Sequence, residues 1–293
     1  MIYTALIGNP TEHSVSPILF EWLSKNTKNA SEYRHIKINV LSESELERSF
    51  EALKTLHFSG INVTLPYKLA VSQFLTYTDT SAKEIGAINT VVLKENEVLG
   101  YNTDWYGIYA PVKQRLPNFL PKKAVVLGSG GASRAAIYAC LKLEAEVVVV
   151  IPRTPDSLAT MSLKAQYENT AKVQFASYDD IIEHISSAQL IINATPAGMK
   201  HQAATPFDLK VLGNETRFEG QVFFDCVFNP VHTPLLDYFT ERGATTIDGL
   251  WMMLYQGLQA FALWTDQGSE VSLTQDALSE LHELLEKEVS HEH

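Results

Sequence analysis

From residue 123 onward the apolar positions come in short unbroken runs. AVVLG (124–128), VVVVI (147–151), VQFA (173–176), LIINA (190–194), VFFDCVF (222–228) and ATTIDG (244–249) are separated by stretches of helical periodicity such as RAAIYACLKL (134–143). Runs of this kind are the mark of strands covered on both faces, and their alternation with helices predicts a doubly wound parallel sheet. The first hundred residues carry a different rhythm. TALIG (4–8), HIKINV (35–40) and FSGINVT (58–64) read as strands, 17–24 as a helix opened by a proline, and 42–56 as an amphipathic helix. Residues 89–102 read as a hairpin turning at Glu95-Asn96. This is a separate mixed α/β domain.

Two further helices complete the pattern. Residues 104–116 are helical and lead into the linker PNFLP (117–121), while GLWMMLYQGLQAFALW (249–264) is apolar almost all round and is expected to be buried. Both are expected to be crossings between domains. A last helix is expected to begin near Ser272, with a capping box to Gln275, and to turn Leu278, Leu281, Leu285 and Val289 inward.

Composition narrows the classes. The 293 residues are 45% hydrophobic, enough for a large core and against disorder, and their number favours two domains. The net charge of −11 argues against a protein that grips a phosphate backbone, so no nucleic-acid partner is expected. The two cysteines, Cys140 and Cys226, form neither a disulfide framework nor a metal-ligand spacing; a reducing cytoplasm and no metal are expected. No signal peptide or run of ~20 apolar residues is visible, so no membrane partner is expected.

The chemistry concentrates at turns. Gly128-Ser129-Gly130-Gly131-Ala132-Ser133 stands between a strand and a helix, the context a dinucleotide fingerprint requires. Gly128 suits the tight turn, Gly130 the approach of a pyrophosphate, and the small Ser133 close packing of helix on strand. At the tip of the next strand, Arg153 and Thr154 replace the acid that would hold a ribose 2′-hydroxyl, so NADP is favoured; Asp156 keeps NAD open. In the first domain, Ser14 and Ser16 lie at a strand-to-helix junction, and Asn62 and Thr64 share a strand face. Lys68 is placed just beyond a proline-opened helix, and Asn89, Asn102 and Asp104 sit at strand ends. Taken singly, Ser14, Ser16 and Asn102 are good caps or turn residues. Together these groups suit a polyhydroxylated small molecule at the carboxyl ends of strands. Lys68 beside Asp104 is the reactive pair on offer: reduction of a ketone leaves charge on oxygen, which an ammonium stabilises and neutralises by proton transfer.

Read in order, the blocks GNPTEHSVSP (8–17), NVTLPYK (62–68), GAINTV (86–91), GYNTDWYG (100–107), GSGGASRAA (128–136), PRT (152–154), NATPAGM (193–199), DCVFNPVHTPL (225–235) and DGLWMMLYQ (248–256) resemble the shikimate dehydrogenase family over most of the chain. The resemblance implies NADP-dependent interconversion of 3-dehydroshikimate and shikimate. It also implies a Rossmann-type nucleotide domain (104–247) inserted in a smaller substrate domain formed by 1–103 and completed by 248–293. By position, Ser14 and Ser16 look like carboxylate ligands, Thr64, Asn89, Asp104 and Gln256 like ring-hydroxyl ligands, and Lys68 like the acid/base, with Asn62 and Phe228 beside the substrate. Gly128, Ser129, Gly130, Gly131, Ala132, Arg153 and Thr154 look like cofactor contacts, with Cys226 and Gly249 flanking the nicotinamide. Four positions depart from the family pattern. Pro152 replaces an asparagine, Ser157 a basic residue, Phe228 a tyrosine, and Trp251 a glycine near the nicotinamide. The alternatives are a quinate or dual quinate/shikimate dehydrogenase using NAD(P), and an NADP-binding regulator without catalysis. A monomer or homodimer is expected.

Overall fold

The computed structural model describes residues 1–27, 32–200, 204–213, 216–265, 271 and 273–291. The chain divides into two compact units, Met1–Asp104 with Leu254–His293, and Trp105–Met253.

The first unit opens with strand β1 (Ile2–Gly8), helix α1 (Ser16–Asn26), β2 (Tyr33–Asn39), α2 (Glu43–Thr55) and β3 (Gly60–Val63). A short 3-10 helix (Ala70–Phe74), β4 (Tyr77–Thr78), α3 (Thr80–Ile85), β5 (Thr90–Leu93) and β6 (Val98–Tyr101) follow. The six strands form one sheet in the order β2-β1-β3-β5-β6-β4. β1 to β3 are parallel, whereas β5 runs antiparallel to both β3 and β6. The hairpin is closed by Lys94 N–H donating to Glu97 O at 2.9 Å. On one face, Leu46, Phe50 and Leu53 of α2 pack on Ala5, Ile7, Ile61, Val63 and Val91. α2 is fixed at its start by the Leu41 N–H donating to Glu45 Oε2 at 2.9 Å.

One local expectation is corrected. No helix opens at Pro66: residues 65–69 are turns, because the Lys68 carbonyl accepts from Ile88 N–H at 2.8 Å and is thereby lost to a helical ladder. Ser14 and Ser16 behave as turn residues: the N-cap of α1 is Val15 without a side-chain bond, while Ser14 Oγ accepts from Ser16 N–H at 3.3 Å and donates to Ser16 Oγ at 3.0 Å. Asn102 does behave as a cap, its Oδ1 accepting from Asp104 N–H at 3.0 Å.

The second unit runs through α4 (Asp104–Arg115), β7 (Lys123–Leu127), α5 (Gly131–Lys142), β8 (Val147–Ile151), α6 (Leu158–Gln166) and β9 (Val173–Phe175). It continues with α7 (Ile181–Ser187), β10 (Leu190–Asn193), β11 (Val222–Asp225), α8 (Pro234–Glu241) and β12 (Thr245–Ile247), with 3-10 turns at Tyr178–Asp180 and Leu209–Leu212. All six strands are parallel in the order β12-β11-β10-β7-β8-β9, the doubly wound Rossmann-type arrangement whose switch point lies between β7 and β10. Residues 124–127 of β7 and 148–151 of β8 are all buried, as the unbroken apolar runs require.

The chain then enters α9 (Gly249–Trp264) and α10 (Gln275–His291). In the first unit, Phe261 and Trp264 of α9 pack with Phe20 of α1, Tyr33 and His35, and the Trp264 indole N–H donates to Val91 O at 2.9 Å. Leu278, Leu281, Leu285 and Val289 form the buried stripe of α10. The expected cap Ser272 lies outside the described residues. Among the described residues no helix is long and apolar enough to cross a membrane.

Candidate active site

In the first unit the polar residues meet at the carboxyl ends of strands. Lys68 Nζ lies 2.6 Å from Asp104 Oδ2, with the two side chains only 15% and 6% exposed. Asp104 Oδ1 accepts from Asn89 Nδ2 at 2.8 Å. Asn89 is in turn held by Thr103, whose N–H donates to Asn89 Oδ1 at 2.7 Å and whose Oγ1 accepts from Nδ2 at 2.9 Å. Gln256 Oε1 closes the group at 3.4 Å from Thr103 Oγ1 and 3.5 Å from Asn89 Nδ2. Asn62 supports it from below, donating to Asn89 O at 3.3 Å and to Thr90 Oγ1 at 3.2 Å.

The arrangement has a proton count. Both amide hydrogens of Asn89 are engaged by Asp104 and Thr103, so in this state Asn89 orients the carboxylate. Lys68 gives one of three ammonium protons to Asp104, and the other two have no partner among the described residues. An ammonium so placed can donate to an oxygen, and the carboxylate keeps it oriented.

Thr64, half-buried, lies one residue beyond β3; its N–H donates to Ile7 O at 2.9 Å, and Asn9 N–H donates to Leu65 O at 2.8 Å. The loop after β3 therefore runs beside the loop after β1, which carries Ser14 and Ser16. That serine loop is strapped by Lys37 of β2, whose ammonium donates to Glu12 O at 2.5 Å and Ser14 O at 3.3 Å. Asn39 Oδ1 accepts from Thr11 N–H and Oγ1, both at 2.8 Å. Lys37 is not among the residues expected at the site, and Thr103 is expected only as one polar group of the run 100–104 at a strand end, without a role of its own. The signal for Lys37 is weak, a lysine near the end of a strand; Thr103 is next to Asp104 but is recognisable only through Asn89.

In the second unit, Gly128 adopts φ +109°, and a side chain there would meet Ser133 Oγ at 2.9 Å. A Cβ on Gly130 meets nothing within 4 Å, which is the clearance a pyrophosphate needs. Gly130 also caps α5 without a side-chain acceptor, so the first-turn amides face an anion site. Ser133 is fully buried against the strand. Arg153 and Thr154 follow β8 and are exposed, a guanidinium and a hydroxyl at the strand tip with no acid in the place of either. These residues fit NADP. Ser157, where a basic residue was the family pattern, is the N-cap of α6 and accepts from Thr160 N–H at 3.3 Å.

On the other side of the switch point, Asp225 ends β11 fully buried. Its Oδ1 accepts from Asn193 Nδ2 at 2.9 Å and Val227 N–H at 3.0 Å, and its Oδ2 from Thr233 Oγ1 at 2.6 Å. Burial outweighs these bonds and pushes its carboxyl up to about 6. The network fixes the backbone of Cys226, Val227 and the half-buried Phe228, and Cys226 N–H donates to Asn193 O at 2.9 Å. Gly249 backs directly onto this loop: a Cβ there would lie 2.3 Å from Val227 O and 2.8 Å from Phe228 N. Trp251 is 8% exposed and lies under the Arg115 guanidinium at 4.8 Å, while Arg115 also donates to Thr246 O at 3.2 Å. The large ring is thus packed within this unit as a cation–π partner.

Comparison with known proteins agrees with the geometry. The family model described as the shikimate dehydrogenase substrate binding domain matches residues 6–91. The shikimate dehydrogenase (NADP(+)) of Aquifex aeolicus is 35% identical over 266 residues, 91% of each chain. A crystal structure of shikimate 5-dehydrogenase from Thermus thermophilus, in complex with NADP(H) and shikimate, matches with TM-score 0.79 at 28% identity, covering 97% of this chain and 99% of that one. Quinate dehydrogenase from Corynebacterium glutamicum, in complex with NAD, matches with TM-score 0.81 at 27% identity over 97% and 98%. Similarity of this extent over both units, together with the polar cluster and the glycine-rich turn, makes the chain a member of the shikimate dehydrogenase family.

Proposed function

We propose that this chain is a shikimate dehydrogenase, an NADP-dependent oxidoreductase that reversibly reduces the ketone of 3-dehydroshikimate to the alcohol of shikimate. The observation that carries the reading is the sequestered Lys68–Asp104 pair, 2.6 Å apart and held by Asn89. The first unit is the substrate-binding domain, which the matched family model supports over residues 6–91. The second is the NADP-binding domain.

When bound, NADPH supplies the hydride, and Gly128 to Ala132, Arg153, Thr154, Cys226 and Gly249 hold it. Arg153 and Thr154 take the 2′-phosphate. Ser14 and Ser16 take the substrate carboxylate, with the Lys37 ammonium bringing positive charge to their loop. Thr64, Gln256 and the Asn62–Asn89 network orient the ring hydroxyls. Lys68 donates to the ketone oxygen, gives it a proton as negative charge develops there, and recovers a proton from solvent; Asp104 holds the ammonium on line. In the oxidative direction Lys68, deprotonated, takes the proton from the hydroxyl. Two free cysteines suit a reducing cytoplasm as the site of this reaction.

Quinate, or both acids with NAD(P), is the second reading, favoured by Phe228 in place of a hydroxyl-bearing side chain and by Ser157 in place of a second cation. A two-by-two assay, shikimate or quinate with NADP+ or NAD+, tests the assignment. Shikimate with NADP+ is expected to give the highest kcat/KM. Higher kcat/KM for quinate moves the assignment to the second reading, and tight NADPH binding without turnover of either acid makes the chain a nucleotide-binding regulator.

A further inference from the structure

The two loops that grip the nucleotide are joined by one buried hydroxyl that belongs to neither. Thr160, in the first turn of α6, is fully buried. Its Oγ1 lies 2.8 Å from Ser129 Oγ in the glycine-rich turn, 2.9 Å from the carbonyl oxygen of Thr154, and 2.9 Å from Ser157 Oγ. Ser157 Oγ accepts from the Thr160 N–H, so its own proton is available to the Thr160 hydroxyl. Thr160 in turn donates its single proton to Thr154 O or Ser129 Oγ. When the proton goes to Ser129 Oγ, the hydroxyl proton of Ser129 stays available for a phosphate oxygen, and the Thr154 loop is reached through Ser157, whose Oγ lies 2.9 Å from Thr160 Oγ1 and whose N–H donates to Thr154 O at 3.2 Å.

We propose that Thr160 is a positioning residue that sets the spacing between the pyrophosphate loop and the 2′-phosphate loop, and thereby contributes to the preference for NADP over NAD. The proposal rests on the reading of the second unit as the NADP-binding domain. β7 and β8 are adjacent, with Leu127 paired to Ile151 and Gly128 N–H donating to Ile151 O at 2.9 Å, so the loops leave the sheet side by side. Beyond the strand ends, their separation is set by what bridges them. The pyrophosphate and the 2′-phosphate are parts of one ligand at a covalently fixed distance. A bridge that holds both loops at that distance removes the ordering cost of gripping both at once. NAD lacks the 2′-phosphate, so only one loop has to meet a phosphate and the bridge matters less. The placement also accounts for Ser157: the side chain that gives up a cation supplies the cap and the proton that orient Thr160.

Thr160→Val keeps the shape and removes the hydroxyl. It strands little, because Thr154 O still accepts from Ser157 N–H at 3.2 Å and Ser129 is half-exposed to water. Titration calorimetry of the whole chain is expected to show the Kd for NADP+ raised about tenfold and that for NAD+ less than about threefold, with Thr160→Ser within about twofold of wild type. The KM for shikimate is expected to be unmoved. An unchanged NADP+ Kd, or equal weakening of NADP+ and NAD+, overturns the proposal while wild-type binding and turnover leave the assigned function standing. A wild-type chain that binds neither nucleotide overturns both. Should Thr160→Val not fold, Thr160→Ala removes the same hydroxyl without touching a nucleotide contact, and the same selective loss is expected; its absence refutes the role.

Discussion

Replacing Lys68 by methionine separates what its ammonium does for the fold from what it does for turnover. The substitution leaves the Asp104 carboxylate, in a residue 4% exposed, with Asn89 as its side-chain donor. Breaking a buried pair by removing one partner costs about 3–5 kcal/mol, because the remaining charge is uncompensated. At roughly 3 °C per kcal/mol for a domain of this size, the melting midpoint should fall by about 10–15 °C. Adding Asp104→Asn removes the stranded charge, and Asn89 can still donate to the new amide oxygen. The double variant should therefore recover to within about 1 kcal/mol of wild type. Turnover should show no such recovery: loss of a positioned acid lowers kcat by about 10²–10⁴ in the single and double variants alike. Thermal melts paired with saturation kinetics read both quantities. A double variant that regains stability and turnover together, or a Lys68→Met enzyme within tenfold of wild type, refutes the assignment of the proton to Lys68.

Arg153→Ala should raise the KM for NADPH by about 10–100-fold, the loss of a charge-assisted phosphate contact, with NADH kinetics nearly unchanged; equal losses for the two would remove Arg153 from the 2′-phosphate site. Burial pulls His35 from 6.5 to about 3, so between these values the folded state binds fewer protons than the unfolded one. Its contribution is present above about pH 6.5 and is lost as pH falls toward 3, up to about 5 kcal/mol in all. Asp225, raised to about 6, acts in the opposite sense over about pH 6 to 4. His35→Gln should flatten the acid limb of the melting midpoint against pH, and parallel curves for wild type and variant would contradict this. Gly249→Ala places a Cβ 2.3 Å from Val227 O, and the shift it forces should cost about 1–3 kcal/mol, read as a lower denaturation midpoint; an unchanged midpoint would show that the loop yields freely.

The strands of the second unit were legible because burial on both faces writes itself as continuous β-branched runs: VVVVI is β8, residue for residue. The apolar α9 was legible for the same reason, having no solvent face to mark with polar residues. Local signals failed where a tertiary bond competes with them. Pro66 suggested a helix start, yet the Lys68 carbonyl is taken by Ile88. The candidate site was legible as residue types at strand ends, including Lys68, Asp104 and Asn89. The role of Asn89 as the holder of Asp104 was not, since it depends on which of its hydrogens Thr103 occupies. Thr160 lies outside every motif and gains meaning only from the three oxygens around it.

The order in which the two units occur along the chain has a consequence for synthesis. Trp105–Met253 is one continuous segment with its own core, so it can fold while the rest is still being made. The other unit cannot close so early, because Phe261 and Trp264 belong to its aromatic core and the Trp264 indole must reach Val91, 173 positions back. Until those residues leave the ribosome, Phe20, Tyr33 and His35 are without their α9 partners. The nascent sheet of β1, β2 and β3 then exposes an aromatic surface, so chain termination ahead of α9 should leave a folded second unit tethered to an aggregation-prone first one.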